Sequence, residues 1–305
     1  MKEILIVSGK GGAGKTTVAS SLALFLNEID VLVDADVDAS DLPILFEPKI
    51  IEESTFYSGV IPEIDLTTCT NCKICKDHCK YNAIEIDKKN NTLFINDLNC
   101  EGCGLCSFIC PENAISLKKR ETGRKLISIT KLNTTMCHGI LNVGGENSGK
   151  LVAAVKQDGR IVLKKQKGNY IIIDGPPGIG CPVISAMTGV DIVITVIEPT
   201  LSGIHDAKRL IELAKYFNIK SFAIINKYGL NSENEKSIMT YLKNENIPLL
   251  GTIDYTKEVI EAQKKKVLLS EYNDYFNELF KNIWSNILKN ISKGGSYEIS
   301  YNIGR

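Results

Sequence analysis

Residues 9–17 read Gly9-Lys10-Gly11-Gly12-Ala13-Gly14-Lys15-Thr16-Thr17, set between a short apolar run and a helix-forming segment. The pattern predicts a strand over residues 3–8, a loop, and a helix from about Lys15 to Asn27. Glycines let backbone N–H groups converge on phosphate oxygens with no Cβ in the way. The helix N-terminus adds a dipole favourable to anions. In such a loop Lys15 meets the β and γ phosphates and the Thr16 hydroxyl ligates Mg²⁺. A strand that feeds a phosphate-binding helix belongs in a parallel sheet with ligands at its carboxyl ends.

The rest of the chain extends that pattern. Apolar runs at Tyr170–Ile173, Ile192–Ile197, Phe222–Ile225 and Leu249–Ile253 are the length of buried strands. Helical stretches lie between them, at Ile204–Phe217 and Asn234–Asn244. The expected fold class is α/β, a doubly wound and mostly parallel sheet of the P-loop NTPase kind. From Phe276 to Ile291 the apolar residues fall on one helical face, including Phe276, Phe280, Ile283, Trp284 and Ile287. A helix packed on the sheet suits this better than a membrane-surface helix, whose polar face is usually strongly basic. Gly294-Gly295 and the residues beyond read as a loose tail.

Eight of the ten cysteines interrupt this pattern in two matching halves. Cys69-x₂-Cys72-x₂-Cys75-x₃-Cys79 is repeated as Cys100-x₂-Cys103-x₂-Cys106-x₃-Cys110, and each half runs on to Asn-Ala-Ile. This is the spacing of bacterial two-cluster ferredoxins, in which the fourth cysteine of each run ligates the other cluster. It assigns Cys69, Cys72, Cys75 and Cys110 to one [4Fe–4S] cluster, and Cys79, Cys100, Cys103 and Cys106 to a second. Zinc sites pair Cys-x₂-Cys across long gaps and fit this rhythm poorly. Pro111 follows Cys110, whereas Lys80 stands where a proline is expected after Cys79. The expected division is therefore residues 1–61 and 119–305 as the nucleotide-binding domain, with residues 62–118 as an inserted small α+β bacterial-type ferredoxin domain. A redox relay is the ordinary role of such a domain, and a purely structural one the alternative.

Composition sets limits on partners. Lys+Arg and Asp+Glu are both 36, so the formal net charge is zero and no nucleic-acid partner is expected. The basic run Lys264–Lys266 reads as a solvated helix end. The opening apolar run is too short for a signal peptide, and no stretch approaches the roughly 18 apolar residues of a membrane span. These features suggest a cytoplasmic protein, in which ten cysteines point to metal binding and not to disulfides.

Three further segments complete the nucleotide site. Asp34-Ala35-Asp36 follows the second strand, and Ile171-Ile172-Ile173-Asp174-Gly175-Pro176-Pro177-Gly178 is an apolar strand ending in an acid, the Walker B pattern. Asp174 is expected in the Mg²⁺ shell, although any one of these acids alone could merely cap a helix. With its early lysine, Lys10-Gly-Gly-x-Gly-Lys15-Thr16 resembles the deviant Walker A of MinD/ParA-type ATPases, which include the nitrogenase iron protein and the Mrp-type cluster carriers.

The resemblance implies an ATP-dependent homodimer in which Lys10 reaches the partner subunit's nucleotide. There it would stabilise transition-state charge as an arginine finger does. It further implies that Asp36 orients the attacking water, that Asp34 assists around Mg²⁺, and that Asn226 of Ile225-Asn226-Lys227 lies beside adenine. Gly229 stands where a GTPase would carry Asp, which weakens a GTP reading.

Gly145-Glu146-Asn147-Ser148-Gly149-Lys150, Asp174 through Cys181-Pro182-Val183, and Glu198-Pro199-Thr200-Leu201-Ser202-Gly203 are similar to signatures of one subgroup, MinD-superfamily ATPases with an inserted ferredoxin domain. That resemblance implies work near metallocofactor assembly or redox activation of an unknown redox or metalloprotein partner. Cys137, His138 and Cys181 lie outside the repeat, and they are either a labile third metal site or inert thiols with a neighbouring imidazole. The leading expectation is an ATP-switched electron carrier. The alternatives are a cluster-delivering assembly factor that uses Cys137 and Cys181, and a MinD/ParA-like spatial organiser with a redox-sensing insert.

Overall fold

The computed structural model describes residues 1–142, 144 and 148–292. The Gly145-Glu146-Asn147 part of one signature and the Gly294-Gly295 tail lie outside them. The chain starts with β1 (Lys2–Ser8), α1 (Lys15–Ala23), β2 (Val31–Asp34) and α2 (Leu42–Phe46). A long strand β3 (Lys49–Ile64) leads to the cysteine segment, which holds α3 (Ile74–Asp77), β4 (Ile84–Asp87), β5 (Thr92–Ile95) and α4 (Leu105–Phe108). A second long strand, β6 (Ile115–Ile129), returns from it to β7 (Thr135–Leu141) and α5 (Ser148–Gln166). Alternation then continues through β8 (Tyr170–Pro177), α6 (Cys181–Met187), β9 (Ile192–Ile197), α7 (Leu201–Tyr216), β10 (Lys220–Tyr228), α8 (Ser232–Asn244) and β11 (Leu249–Asp254). Three helices close the described chain: α9 (Lys257–Lys264), α10 (Leu269–Tyr272) and α11 (Asp274–Ser292).

Nine strands form one sheet in the order β11-β10-β9-β1-β8-β2-β7-β6-β3. β1 lies between β8 and β9 in parallel register, with Ile4 opposite both Ile172 and Ile192. β10, β11, β2 and β7 add further parallel pairs. Successive strand residues face opposite sides, so each central strand feeds two cores. On β10, Phe222 and Ile224 join a core with Ile4, Leu22, Leu32 and Ile172, while Ala223 and Ile225 join another with Ala207, Ile211 and Ile238. Phe276, Phe280, Ile283 and Ile287 of α11 are buried in the first of these cores. Each contributes about 1.5–3 kcal/mol of burial, so this apolar face packs on the sheet. No described helix is long and apolar enough to cross a membrane.

The chain divides into two compact units. One comprises Met1–Ser54, Lys125–Ile140 and Ser148–Arg305, the other Thr55–Arg124 and Leu141–Asn147. The second unit is wider than the expected 62–118, because β3 and β6 carry residues on both sides of the division. Inside it β4 and β5 pair antiparallel, with Ile84 opposite Ile95. The two halves of the repeat are wound alike. Positive φ angles occur at Asn71 and Lys73 in the first half and at Gly102 and Gly104 in the second, then at Asn82 and Asn113. The sequence repeat is therefore also a backbone repeat.

Candidate functional site

The phosphate loop leaves β1 at Ser8, whose hydroxyl donates to the Lys10 carbonyl at 2.8 Å. Gly12 and Gly14 adopt φ of 76° and 97°, a region L side chains rarely enter. Gly14 caps α1 and its carbonyl accepts from the Val18 amide. A Cβ at Gly14 would lie 2.0 Å from Asn226 Nδ2, and one at Gly9 would lie 2.3 Å from Asp206 Cβ. The loop therefore needs glycine at both places.

Asn226 is buried, and its amide donates to the Ala13 carbonyl at 2.8 Å. Here its side chain braces the phosphate loop, a role that depends on a partner 213 residues away and is not visible in the local sequence. Asn226→Ala removes that bond and leaves the Ala13 carbonyl without it. We expect a loss of about 1–3 kcal/mol in thermal or urea unfolding, with weakened nucleotide binding in calorimetry. Unchanged values for both would remove Asn226 from the loop's support.

Three carboxylates and one ammonium meet behind the loop. In parallel register Asp34 of β2 stands beside Asp174 of β8, and Asp174 beside Ile6 of β1. Lys15 Nζ contacts Asp36 Oδ2 at 2.5 Å, with both groups largely buried. Asp34 accepts from the Asp36 amide at 3.1 Å and from the Ser40 hydroxyl at 2.7 Å. Both Asp174 carboxylate oxygens are buried and complete no hydrogen bond. Burial, then repulsion from Asp174, holds the Asp34 pKa well above the usual carboxylate range. Burial likewise raises Asp174 to about 6, against the opposing charge of Lys15 and the nearby Thr16 hydroxyl, which falls short of a hydrogen bond. Lys15 is raised in turn because Asp174 and Asp36 outweigh its own desolvation. An orphaned buried carboxylate beside Thr16 is the chemistry Mg²⁺ satisfies, so these residues fit that ion.

Lys10 lies on its own chain's residues, 3.0 Å from Thr200 Oγ1 and 3.3 Å from Glu198 Oε1. Glu198 also holds Lys227 at 3.0 Å. Thr200 caps α7 by accepting from the Gly203 amide, which fixes this acceptor pair. The switch-like segment after Asp174 is tied to the loop through Gly178 N–H to the Ser8 carbonyl at 2.9 Å. Beyond it Lys156, buried in α5, donates to the Ala186 and Thr188 carbonyls at 2.5 and 3.0 Å, closing the end of α6. Its burial lowers its pKa to about 8. Ser40 and Lys156 are contributors the sequence did not single out, and Glu198 was singled out there only as part of a signature and not for its hold on Lys10. Each is an ordinary polar residue whose role exists only in three dimensions.

In the second unit one cavity is lined by Cys69, Cys72, Cys75 and Cys110, and another by Cys75, Cys79, Cys100, Cys103 and Cys106. Each fourth cysteine thus lines the cavity of the other run, and Cys75 lines both. Backbone amides point at four of the sulfurs, all at 3.4 Å: Asn71 at Cys69, Ala114 at Cys110, Gly102 at Cys100 and Ala83 at Cys79. Cys75 and Cys106 have their thiol pKa raised, chiefly by burial. Among the described residues no three His, Cys, Asp or Glu side chains converge closely enough to hold a single metal ion. The thiols surround cavities and do not meet at a point. Thiolates that each bond a different iron of one core need that wider arrangement, so the residues fit a multi-iron group better than a lone zinc ion.

The grouping of Cys137, His138 and Cys181 is corrected by the structure. Cys137 and His138 are neighbours on β7, so their side chains take opposite faces. Cys137 is 0% exposed, and burial pushes its thiol up to about 12. Burial lowers His138 to about 4, and its Nε2 lies 3.0 Å from Ser128 Oγ. Cys181 is exposed at the start of α6. These three assemble no metal site.

Comparison with known proteins places this geometry. The profile of the CobQ/CobB/MinD/ParA nucleotide binding domain matches residues 4–269. An uncharacterized protein of Methanocaldococcus jannaschii is 40% identical over 234 residues, covering 76% of this chain and 80% of its own. A second uncharacterized protein of that organism is 30% identical over 282 residues, covering 90% and 94%. Among solved structures, the septum site-determining protein MinD complexed with Mg-ADP, from Pyrococcus horikoshii OT3, shares the fold with a TM-score of 0.55. It is 19% identical, and the match covers 96% of this chain and 98% of that one.

Proposed function

Because the chain belongs to the CobQ/CobB/MinD/ParA nucleotide-binding family, we propose that it is a Mg²⁺-dependent ATPase that couples nucleotide state to two [4Fe–4S] clusters. The coupling serves electron transfer to, or cofactor assembly on, a partner protein. The observation that carries the iron–sulfur half is the distribution of thiols, with the fourth cysteine of each run lining the other run's cavity. The sequence spacing assigns the ligands in the same crossed way.

On this reading the phosphate-loop amides and Lys15 bind the triphosphate. Lys15 leaves Asp36 to do so, and the freed Asp36 carboxylate then orients the attacking water. Thr16 and Asp174 hold Mg²⁺, which neutralises charge on the transferring phosphoryl group. Lys10 releases Glu198 and Thr200 and reaches across an ATP-dependent homodimer, while Lys227 keeps Glu198 neutralised. The clusters, held by the two cysteine sets, supply one-electron carriage. The segment from Asp34 to Asp38 leads through α2 into β3, so the chain itself links the nucleotide site to the cysteine unit. A near-complete switch requires about 5.5 kcal/mol of differential binding, which one phosphate with several charge-assisted bonds can supply. Delivery of a labile cluster through Cys137 gains no support from a thiol so deeply buried.

The test is the anaerobic iron and sulfide content together with the EPR spectrum, with and without Mg-ATP. About eight irons per chain are expected, with a signal that responds to Mg-ATP and stops responding in Lys15→Ala at unchanged iron content. A signal indifferent to nucleotide, or a chain that binds none, would overturn the coupling.

A further inference from the structure

The two halves of the cysteine repeat serve as controls for each other, because every feature of one can be compared at the same offset in the other. Amide bonds to sulfur do not distinguish them. The Cys69/Cys72/Cys75/Cys110 set receives two, on Cys69 and Cys110, and the Cys79/Cys100/Cys103/Cys106 set receives two, on Cys100 and Cys79. Charge does distinguish them.

Four residues before the first cysteine of each run stand Asp65 and Asn96. The Asp65 carboxylate closes the entry to the first loop, accepting from the Thr67 amide at 2.9 Å, the Thr67 hydroxyl at 2.6 Å and the Thr68 hydroxyl at 2.8 Å. At the second loop the neutral Asn96 side chain makes the corresponding turn, accepting from the Leu98 amide at 3.1 Å and donating to the Glu85 carboxylate at 2.8 Å on β4.

The second loop has an additional tie. Arg120 Nη1 donates to the Cys100 carbonyl at 2.8 Å, and Nη2 to the Asp97 carbonyl at 2.7 Å. Both acceptors are neutral, so neither cancels the guanidinium charge. The matching offset in the first half is Lys89, in an exposed turn where its amide bonds Asp87. The asymmetry comes from strand length: β4 stops at Asp87, whereas β6 runs past Arg120 to Ile129. The charged residues lining the cavities add to it. Glu112 lines the first cavity, and Lys80 and Glu101 line the second, with His78 beside them.

Resting on the iron–sulfur reading above, we propose that Arg120 and Asp65 make the two cluster sites unequal, so that the Cys79/Cys100/Cys103/Cys106 site accepts the first electron. One electron from a low-potential one-electron donor adds one negative charge to whichever site takes it. That charge is stabilised beside a guanidinium and opposed beside a fixed carboxylate. Arg120 and Asp65 act here as positioning and tuning residues; neither is a ligand.

The test is an anaerobic redox titration of the full chain followed by EPR, with iron counted in every sample. Two separate one-electron waves are expected. Arg120→Gln should lower the higher wave alone, shifting the oxidised-to-reduced partition at least tenfold, which for one electron is about 59 mV. Asp65→Asn should raise the lower wave alone, and Arg120→Lys, which keeps the charge, should leave both nearly in place. If Arg120→Gln loses iron, Arg120→Lys and Asp65→Asn still decide the matter. The proposal is overturned if all variants keep both waves at wild-type values, if Asp65→Asn moves the higher wave, or if Arg120→Gln moves the lower. A wild-type chain that takes up no iron instead overturns the iron–sulfur reading, and the iron count tells the two failures apart.

Discussion

Replacing Asp174 with Asn should stabilise the nucleotide-free, Mg²⁺-free chain while abolishing the Mg²⁺-dependent ATP turnover proposed above. Both effects come from one buried carboxylate with no hydrogen bond on either oxygen. Burial raises its pKa from 3.8 to about 6, so the folded chain favours the protonated acid. Well below pH 4 the group is neutral whether folded or unfolded, and folding carries no penalty. As pH rises from about 4 to 6, the unfolded chain ionises freely and the folded chain resists. Stability falls through that window and stays lower above it. At ~1.4 kcal/mol per pKa unit, with Lys15 and neighbouring water relieving part of it, the cost at pH 8 is about 1–3 kcal/mol. Asn keeps the shape of the neutral acid and avoids the cost. Thermal unfolding in EDTA at pH 8 should therefore show the variant more stable than wild type, with the gap closing toward pH 4. Adding Mg²⁺ and nucleotide should stabilise wild type and not the variant. Turnover should drop by roughly a hundredfold or more once the ion loses this ligand. A variant less stable than wild type in EDTA at pH 8 would show that another cation, and not an unmet demand for one, already balances Asp174.

Much of this centre was legible in the sequence because its chemistry is local. A glycine run between a strand and a helix fixes a phosphate cradle through backbone geometry alone, and Gly9–Gly14 forms such a loop between β1 and α1. The apolar runs at 170–173, 192–197, 222–225 and 249–253 all became strands; the first three are buried on both faces, which leaves them no amphipathic alternative, and the last forms the edge strand β11 with Leu250 and Ile253 buried. α11 was legible from its stripe of Phe276, Phe280, Ile283 and Ile287.

What escaped depends on distant partners. α5 carries Lys156 on a face that would read as solvent-exposed, yet that lysine is consumed by the carbonyls at the end of α6. β3 and β6 alternate weakly and carry many charged residues, so nothing in Lys49–Ile64 or Ile115–Ile129 announces strands of that length. The pairing of Cys137 with Cys181 looked attractive by residue type. Complete burial of Cys137 on β7 and exposure of Cys181 at the start of α6, neither visible in a residue count, set them apart. Arg120 stands ten residues past the last repeated cysteine, and only the continuation of β6 brings it back to Cys100.

On the iron–sulfur function proposed above, removing iron should unfold the cysteine unit while the nucleotide-binding unit stays folded. The reason is the size of its core. Among the described residues, the hydrophobic cluster around the cysteine loops has four buried side chains, Cys75, Ile84, Leu93 and Ile115, and one of them is itself a thiol assigned to a cluster. Phe94, Leu98, Leu105 and Phe108 remain exposed, Phe108 at 89%. α3 and α4 span four residues each, too short to hold without tertiary support. Small folds of this kind usually depend on a metal or on disulfides, and the cysteines here form none. Cluster binding is then folding free energy for residues 65–118. Hydrogen exchange before and after anaerobic chelation should show amides of β4, β5 and the cysteine loops exchanging at least ~100-fold faster, a loss of about 3 kcal/mol of local stability. Amides of β1, β8 and β9, at the centre of the large sheet, should keep their protection. If the cysteine loops stayed equally protected without iron, backbone and apolar contacts alone would hold this unit, and the clusters would be passengers on a self-sufficient scaffold. If protection collapsed in both units together, the phosphate loop would depend on iron as well, and nucleotide binding by the iron-free chain would be lost in the same experiment.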